Sequence, residues 1–204
     1  MRRILGVVGA IGLSFSALVV AGGSGAEAVG PNVVKNGSFE SPVVSSPCLN
    51  GGGGNPTPGI CTYSGGSTGI TGWTVGGNSV DLIAAATIKP ATGHQSIDLS
   101  GSSPGSVTQT VTTTPGIKYT LRWAVAGNGS CGQAVKTMGI YWNGTQVKTI
   151  NFNTAGHTLQ SMGWVVRHMT VTAVGVTSSI GFADLTPDHS LCGATLDAVS
   201  LRSA

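Results

Sequence analysis

Charged side chains are scarce in this sequence. Asp, Glu, Lys and Arg make up 8% of the 204 residues, against about 25% in an ordinary globular protein. The formal net charge is only +3, and the sequence contains no cluster of basic residues of the kind that a nucleic-acid-binding face needs. The composition therefore argues against a nucleic-acid partner, and the abundance of Gly, Ser, Thr and Val favours a hydroxyl-rich surface.

The sequence also lacks the motifs of the common hydrolases. It contains neither a GxSxG elbow nor an HExxH motif, and its four histidines have no neighbours that indicate a triad. Asp184 and Asp188 are the one close pair of acids, whereas a glycosidase needs two carboxyl groups across a cleft. A Pro-Asp-His segment such as 187–189 is more often a solvated turn. We therefore expect a non-catalytic protein, with a glycoside-active enzyme as the weaker alternative.

Residues 1–28 have the layout of a secretory signal peptide. Arg2 and Arg3 precede an uncharged run over residues 4–26, and residues 26–28 (Ala-Glu-Ala) form a small-x-small cleavage signal. A membrane anchor needs about 20 strongly apolar residues, whereas glycines and serines dilute this run. Cleavage after Ala28 leaves 176 of 204 residues with a net charge of +2 and no membrane span. We therefore predict secretion and a single domain over residues 29–204.

Four cysteines in an exported chain predict two disulfides. An oxidising compartment favours pairing, and the CxxC spacing of a zinc site is missing. Four cysteines allow three connectivities. Cys48 and Cys61 flank a stretch rich in Gly and Pro, so they form the natural local pair, which leaves Cys131 and Cys192 to join distant parts of the chain. The local bridge would pin a glycine-rich loop near residues 45–70.

Alternation with a period of two predicts strands from residue 32 onward, and no long helical pattern competes with it. Tyr119, Leu121, Trp123 and Val125 share one face of a strand, which places Trp123 in the core. Further strands are predicted over residues 79–83, 95–99, 106–112, 177–183 and 195–201. Eight or so short antiparallel strands predict an all-β fold, an antiparallel β-sandwich or jelly roll.

The dipeptide Asn143-Gly144 predicts a tight hairpin, because both central residues of a type I′ turn need positive φ. With a two-residue turn, Ile140 pairs with Val147 on the inner face and Tyr141 pairs with Gln146 on the outer face. Tyr141 is then directed toward water.

A strand over residues 164–173 separates into two faces. Val165, Met169 and Val171 lie on the face predicted to be inward, and Trp164 and His168 lie on the other face. Two interpretations of Trp164 stay open: an exposed platform for a ligand, or a ring at the start of a strand that packs under a neighbouring loop.

Several segments resemble galactose-binding-like jelly rolls, and they occur in the order that this fold shows. They are NGSFE (36–40), GWT (72–74), GHQSIDL (93–99), VTQTV (107–111), the strand 119–123 and LDAVSL (196–201). Within that group the chain most resembles secreted choice-of-anchor C proteins and the plant cell-wall domain of unknown function 642, over residues 33–201. The Cys131 and Cys192 contexts fit a bridge of the latter family.

The resemblance implies an association with a polysaccharide or another cell-wall glycan. It also implies a structural calcium ion, since Glu40 and Asp197 match carboxylates that hold calcium in related modules, with the Ser38 carbonyl nearby. Calcium takes hard oxygen ligands of these kinds. This chain has Ala198 where a second acid often follows. The alternative is that Glu40 and Asp197 only bond backbone groups that tie the first strand to the last.

Two functions follow for an extracellular or cell-wall-associated protein. The first is carbohydrate binding, with Trp164, Tyr141 and His168 as the outward-facing candidates, because sugar rings stack on exposed aromatic rings. The second is a structural or adhesive surface protein without sugar binding. Aromatic side chains grouped in one patch favour the first function, and scattered ones favour the second.

Overall fold

The computed structural model describes residues 30–45, 47–55 and 57–204, and the predicted signal peptide lies outside the described residues. The described part contains twelve strands: β1 (Gly53–Gly54), β2 (Ile60–Ser64), β3 (Thr74–Gly77), β4 (Ser79–Ala84), β5 (Gln95–Asp98), β6 (Gly105–Thr112), β7 (Lys118–Gly127), β8 (Val135–Trp142), β9 (Thr145–Asn153), β10 (Val165–Thr172), β11 (Thr177–Asp184) and β12 (Ala194–Ser203). Within these ranges, no helix has the length and apolar character that crossing a membrane requires.

The strands form two antiparallel sheets. The seven-stranded sheet has the order β1-β2-β4-β5-β12-β7-β10, and the five-stranded sheet has the order β3-β6-β11-β8-β9. Apolar side chains from both sheets meet in one buried cluster. The all-β antiparallel sandwich predicted from the two-residue alternation is therefore confirmed.

A series of aromatic rings packs through the core between the sheets. The ring centroids of Phe39 and Trp73 are 5.2 Å apart, those of Trp73 and Phe182 are 6.5 Å apart, and those of Trp123 and Phe182 are 5.8 Å apart. Trp123 is fully buried, as its face of β7 predicts.

Both disulfides form as the sequence predicts. Cys48 is bonded to Cys61 across 13 residues, and Cys131 is bonded to Cys192 across 61 residues. The segment near 45–70, which we predicted to be a loop, nevertheless contributes β1 and β2. Tyr63 of β2 is fully buried and its hydroxyl donates to the Leu49 carbonyl oxygen at 2.8 Å. These two strands and β3 are short and rich in glycine or hydroxyl side chains, so their alternation is weak in the sequence.

The hairpin between β8 and β9 has the predicted turn, with φ values of 51° at Asn143 and 77° at Gly144. Tyr141 pairs with Gln146, as predicted. The predicted pairing of Ile140 with Val147 is wrong, because the register shifts between Ile140 and Tyr141 and places Ile140 opposite Lys148. An extra residue on β9 is the signature of a β-bulge, which the turn sequence does not encode.

A second apolar cluster covers part of the outer face of the seven-stranded sheet. Its buried members are Ile83, Ile88, Ala126, Phe152 and Met162. Ile83 alternates along β4 with Leu82, which belongs to the main core. Ile88 lies in the loop after β4 and Met162 in the loop after β9, so both loops pack over this face of the sheet.

Candidate functional site

Trp164 lies immediately before β10 and is half-buried. Its indole Nε1 donates a hydrogen bond to the Lys89 carbonyl oxygen at 2.8 Å, and its ring packs against the second apolar cluster. The ring thus packs on the loop between β4 and β5. Of the two interpretations that the sequence left open, this is the ring that packs under a neighbouring loop.

Tyr141 and His168 lie on different sheets. Tyr141 is on β8, where its hydroxyl donates to Gln146 Oε1 at 3.1 Å. His168 is exposed on β10, at an edge of the seven-stranded sheet, opposite Arg122 of β7. The structure therefore does not bring the three predicted aromatic candidates into one patch. Their separation favours structural roles for them.

Glu40 and Asp197 converge on the loop between β4 and β5. Glu40 Oε1 accepts hydrogen bonds from the backbone N–H groups of His94 and Gln95 at 2.8 and 3.1 Å. Asp197 Oδ2 accepts a hydrogen bond from the Thr92 N–H at 2.8 Å. Both carboxylates therefore bond backbone groups of one loop, and they link the segment before β1 to the last strand. We call these two residues the loop pair.

The two carboxylates of the loop pair interact electrostatically. Burial raises the pKa of Asp197 to about 7, hydrogen bonds from backbone N–H groups oppose this, and the charge of Glu40 adds to it. Gly93 has a φ of +65°, and a Cβ atom there would collide with the Glu40 carboxylate. Glycine is thus required where the backbone approaches the acid.

The third predicted calcium ligand, Ser38, lies in a groove together with Ala198 and Val199. Across residues 30–45, 47–55 and 57–204, no group of three or more His, Cys, Asp or Glu side chains is arranged to hold a metal ion. Any calcium ion would therefore depend on the two carboxylates of the loop pair together with backbone oxygens.

A cleft of about 270 Å³ opens on the outer face of the seven-stranded sheet. We call it the outer cleft. Its apolar lining consists of Ile60, Ile83, Ile88, Leu159 and Leu191, and its polar lining includes Asn55, Thr57, Asp81, Asn128 and Ser130. The Cys131–Cys192 disulfide also borders it.

Asp81 supplies the carboxylate of the outer cleft. It is 6% exposed, and Oδ1 accepts a hydrogen bond from the Thr62 hydroxyl at 2.6 Å. Among the described residues, Oδ2 has no hydrogen-bond donor. Oδ2 is therefore available to a donor that enters the cleft.

A second carboxylate lies behind the first. Asp98 pairs with Asp81 across β5 and β4 and is fully buried. Burial raises the pKa of Asp98 to about 8, hydrogen bonds from Asn128, Ser100 and Gly193 oppose this, and the charge of Asp81 adds to it. Burial likewise raises the pKa of Asp81. We call Asp81 and Asp98 the cleft pair.

Asp98 orients the amide that lines the cleft. Asn128 Nδ2 donates to Asp98 Oδ2 at 2.8 Å, and Asn128 Oδ1 accepts from the Ser130 N–H at 3.0 Å. Asp98 Oδ1 accepts from the Gly193 N–H at 3.0 Å, next to Cys192. The long disulfide and Asp98 therefore hold the same two loops, and a fixed amide faces the cleft beside Asp81.

Sequence reasoning missed the cleft pair and Asn128. The available signal was a carboxylate within each of two adjacent predicted strands, 79–83 and 95–99, where an acid has no reason to be buried unless it has partners. The cross-strand register that brings these acids together is set by the fold.

Comparison with known proteins agrees with this fold. Residues 32–202 match the family described as "Protein of unknown function (DUF642)". A stretch of 173 residues, 84% of this chain, is 32% identical to halomucin of Haloquadratum walsbyi, but it spans only 2% of the length of that relative.

Solved structures are similar in fold. A family 35 carbohydrate binding module from Clostridium thermocellum matches with a TM-score of 0.50 at 17% identity, over 71% of this chain and 98% of the module. A family 61 module, TmCBM61, solved in complex with beta-1,4-galactotriose, matches with a TM-score of 0.48 at 12% identity, over 85% of this chain and 99% of the module. The sandwich thus resembles the fold of the family 35 module, and the chain, matched over residues 32–202, belongs to the DUF642 family.

Proposed function

We propose that this protein is an extracellular, non-catalytic glycan-binding domain that takes a sugar residue into the outer cleft. The observation that carries the proposal is Asp81, a buried carboxylate with an oxygen that lacks a donor, in a cleft whose other walls are apolar. Sugars present hydroxyl donors beside apolar C–H faces, and this lining complements both.

The dimensions of the cleft favour a small unit. Its volume of about 270 Å³ lies just below the range of about 300–1,000 Å³ typical of small-molecule sites. Asp81 Oδ2 would accept a hydroxyl proton, the fixed amide of Asn128 would bond a second hydroxyl, and Ile60 and Leu159 would cover a ring face. The cleft would thus hold one sugar residue, at the end or on a branch of a longer glycan.

Trp164 enters this proposal as a positioning residue. Its hydrogen bond to Lys89 and its packing against the second apolar cluster, to which Ile88 belongs, hold the loop that forms one wall of the cleft. Tyr141 and His168 lie on other surfaces, so each would contact only a glycan bound outside the cleft. Tyr141, in a hollow of the five-stranded sheet lined also by Gly144 and Gly181, is the alternative aromatic site.

The burial of Asp98 supports a non-catalytic role for the cleft. Hydrolysis of a glycoside uses two carboxyl groups that both reach the scissile bond. Asp98 Oδ1 accepts from the Ser100 and Gly193 N–H groups, and Oδ2 accepts from Asn128. Of the cleft pair, only Asp81 is therefore left to contact a sugar. A single carboxylate can bind a sugar hydroxyl but does not provide the pair that hydrolysis uses.

Secretion is part of the same proposal. The two disulfides require an oxidising compartment to persist, and residues 1–28 have the pattern of a cleaved signal peptide. A glycan ligand of the cell wall or cell surface would meet the protein there.

We also propose a structural calcium ion at the loop pair. Both hydrogen bonds that Glu40 accepts from described residues go to Oε1, so Oε2 is free to coordinate, and the mutual repulsion of Glu40 and Asp197 would be relieved by a cation. A chelator should lower the melting temperature, and Asp197→Ala should abolish that sensitivity. An unchanged melting curve with chelator would leave only the backbone-bonding role.

Adsorption to insoluble cellulose, chitin and pectin tests the glycan proposal. The parent should be retained by at least one of them, and Asp81→Asn should weaken retention at least tenfold, because the amide cannot accept as strongly as a carboxylate. Tyr141→Ala, on the five-stranded sheet, should leave retention within twofold of the parent. Loss in Tyr141→Ala with full retention in Asp81→Asn would move the site to the alternative hollow. Retention on none of the polysaccharides would favour a structural or adhesive protein.

A further inference from the structure

We propose that a second surface of this domain, separate from the outer cleft, binds the anionic groups of an acidic polysaccharide. The surface is a groove of about 570 Å³ on the same sheet. Its floor includes Thr120 and Arg122 of β7 and Ser200 and Arg202 of β12, and residues 32–38 form its wall. We call it the basic groove. Asn128 lies six positions after Arg122, just past the end of β7, which is about 20 Å at the usual rise of a strand, so the two surfaces are distinct.

Strand register places three basic side chains in a row across the sheet. His168 of β10 lies directly opposite Arg122. Arg122 lies opposite Ser200, and Arg202 lies opposite Thr120. The two arginines are therefore diagonal neighbours on adjacent strands, a separation of roughly 7–8 Å that long side chains bridge easily.

The row has no counter-charge. Among the described residues that line the groove, none is an aspartate or a glutamate. Asp197, the carboxylate of β12 on the same face, is fully buried and accepts from the Thr92 N–H. Arg202 donates to the Gly30 carbonyl oxygen at 3.2 Å, and the Arg122 guanidinium has no hydrogen-bond acceptor among the described residues. Like charges on neighbouring strands destabilise a sheet, so an anion in the groove would relieve repulsion that the fold itself leaves in place.

A bulge in β12 shapes the groove. The register between β12 and β7 shifts between Asp197 and Ser200, and Ala198 adopts a φ of 51°. The Val199 N–H then donates to the Gly37 carbonyl oxygen at 2.8 Å, which holds the segment before β1 beside the sheet as a wall. The groove is thus a fixed feature of the fold.

The chemistry of the groove identifies the class of ligand. Guanidinium groups bind carboxylate and sulfate through paired hydrogen bonds, and the neighbouring hydroxyl and amide side chains of Asn32, Ser38, Thr120 and Ser200 suit a polyhydroxyl chain. No aromatic ring lines the described groove, whereas single-stranded nucleic acids are usually bound with stacked aromatic rings. Charge complementarity and this polar lining therefore favour an acidic glycan.

Dextran, carboxymethyl-dextran and dextran sulfate test this site, since they share a backbone and differ in charge. In affinity electrophoresis, the parent should be retarded by the two charged polymers, and retardation should decrease with added salt. Arg122→Gln, which removes no protein hydrogen bond, should weaken binding at least tenfold, and Arg122→Gln with Arg202→Gln should abolish it. Preference for one charged polymer over the other distinguishes carboxylate from sulfate.

Lys148→Gln is the matched control, because it removes one positive charge on β9 of the other sheet. It should bind charged dextrans within twofold of the parent, as should the cleft variant Asp81→Asn, so that failure of the basic groove and failure of the outer cleft give different results. Equal losses in Lys148→Gln and Arg122→Gln would overturn the site in favour of net charge. Tighter binding of the parent to duplex DNA or phosphatidylserine vesicles at the same salt concentration would overturn the glycan class, and no retardation of a folded parent would overturn the proposal.

Discussion

Two pairs of carboxylates lie at the seven-stranded sheet, and their surroundings differ. The loop pair, Glu40 and Asp197, bonds backbone N–H groups of the loop after β4. The cleft pair, Asp81 and Asp98, sits on adjacent strands, with Asp98 bound by loops and Asp81 facing a cavity. Burial raises the pKa of Asp98 and of Asp197, and in each case the charge of the neighbouring acid adds to it.

Some of these acids stabilise the fold, whereas one of them is free to bind a ligand. Asp197 and Asp98 are enclosed and accept hydrogen bonds from backbone donors, so their removal should affect stability. Asp81 has one oxygen without a donor, so its removal should affect binding. A raised pKa alone does not make this distinction, because all three carboxylates show it.

The largest effect on stability is expected from the disulfide that supports the cleft pair. By loop-closure entropy, loss of the 61-residue bridge Cys131–Cys192 should cost about 4 kcal/mol and loss of the 13-residue bridge Cys48–Cys61 about 3 kcal/mol. The paired Cys→Ser variants are compared by urea denaturation. The long bridge also borders the outer cleft, so its loss should impair glycan retention. A larger loss of stability without the short bridge would contradict this ranking.

Asp197→Ala should be the next largest change. It leaves the N–H groups of Thr92 and Ala198, whose hydrogen bonds to Asp197 are partly buried, without their acceptor, at about 1–2 kcal/mol for each bond. Denaturant unfolding should therefore show a loss of about 2–4 kcal/mol. Thr92→Val, which removes only long hydroxyl contacts on an exposed residue, is the control and should change stability by no more than about 0.5 kcal/mol. Similar losses in both variants would show that the carboxylate does not hold the loop.

The pH dependence of stability tests the cleft pair. Because burial raises the pKa of Asp98 to about 8, the folded protein holds a proton between about pH 4 and pH 8 that the unfolded chain releases. Asp98 therefore contributes stability at low pH that is lost as the pH rises through that window. In the parent, the free energy of unfolding should decrease across this pH window. In Asp98→Asn that decrease should be smaller by at least about 1.4 kcal/mol, the equivalent of one pKa unit. The measurement is the slope of unfolding free energy with pH, and identical slopes would mean that Asp98 is ionised in the fold.

Much of the fold could be predicted from the sequence, because it depends on local patterns. The alternation in residues 119–125 placed Trp123 in the core, Asn143-Gly144 fixed a turn, and cysteine spacing with family resemblance gave both disulfides. The bulge in the β8–β9 hairpin was not predicted, since one extra residue leaves no mark on the turn sequence. Resemblance also pointed to Glu40 and Asp197, which both accept hydrogen bonds from backbone N–H groups of the loop between β4 and β5.

The outer cleft and the basic groove could not be predicted in this way. Asp81 and Asp98 are 17 positions apart in the sequence, and Arg122 and Arg202 are 80 apart; in each case strand register makes them neighbours. A low overall charge argued against a basic patch, yet the fold collects a few basic residues on one face. Trp164 was a candidate because the alternation of its strand places it on the face opposite the core. That alternation carries no information about the loop after β4, on which the indole packs.

The glycan site is tested most directly by nuclear magnetic resonance. A soluble fragment of the polysaccharide that retains the protein is titrated into labelled parent and Asp81→Asn protein while amide shifts are followed. If a sugar binds in the outer cleft, the largest shifts should occur at Asn128, Ser130 and Leu159, and they should be lost in Asp81→Asn. Shifts centred on Gly144 and Gly181 of the five-stranded sheet, unchanged in Asp81→Asn, would contradict it.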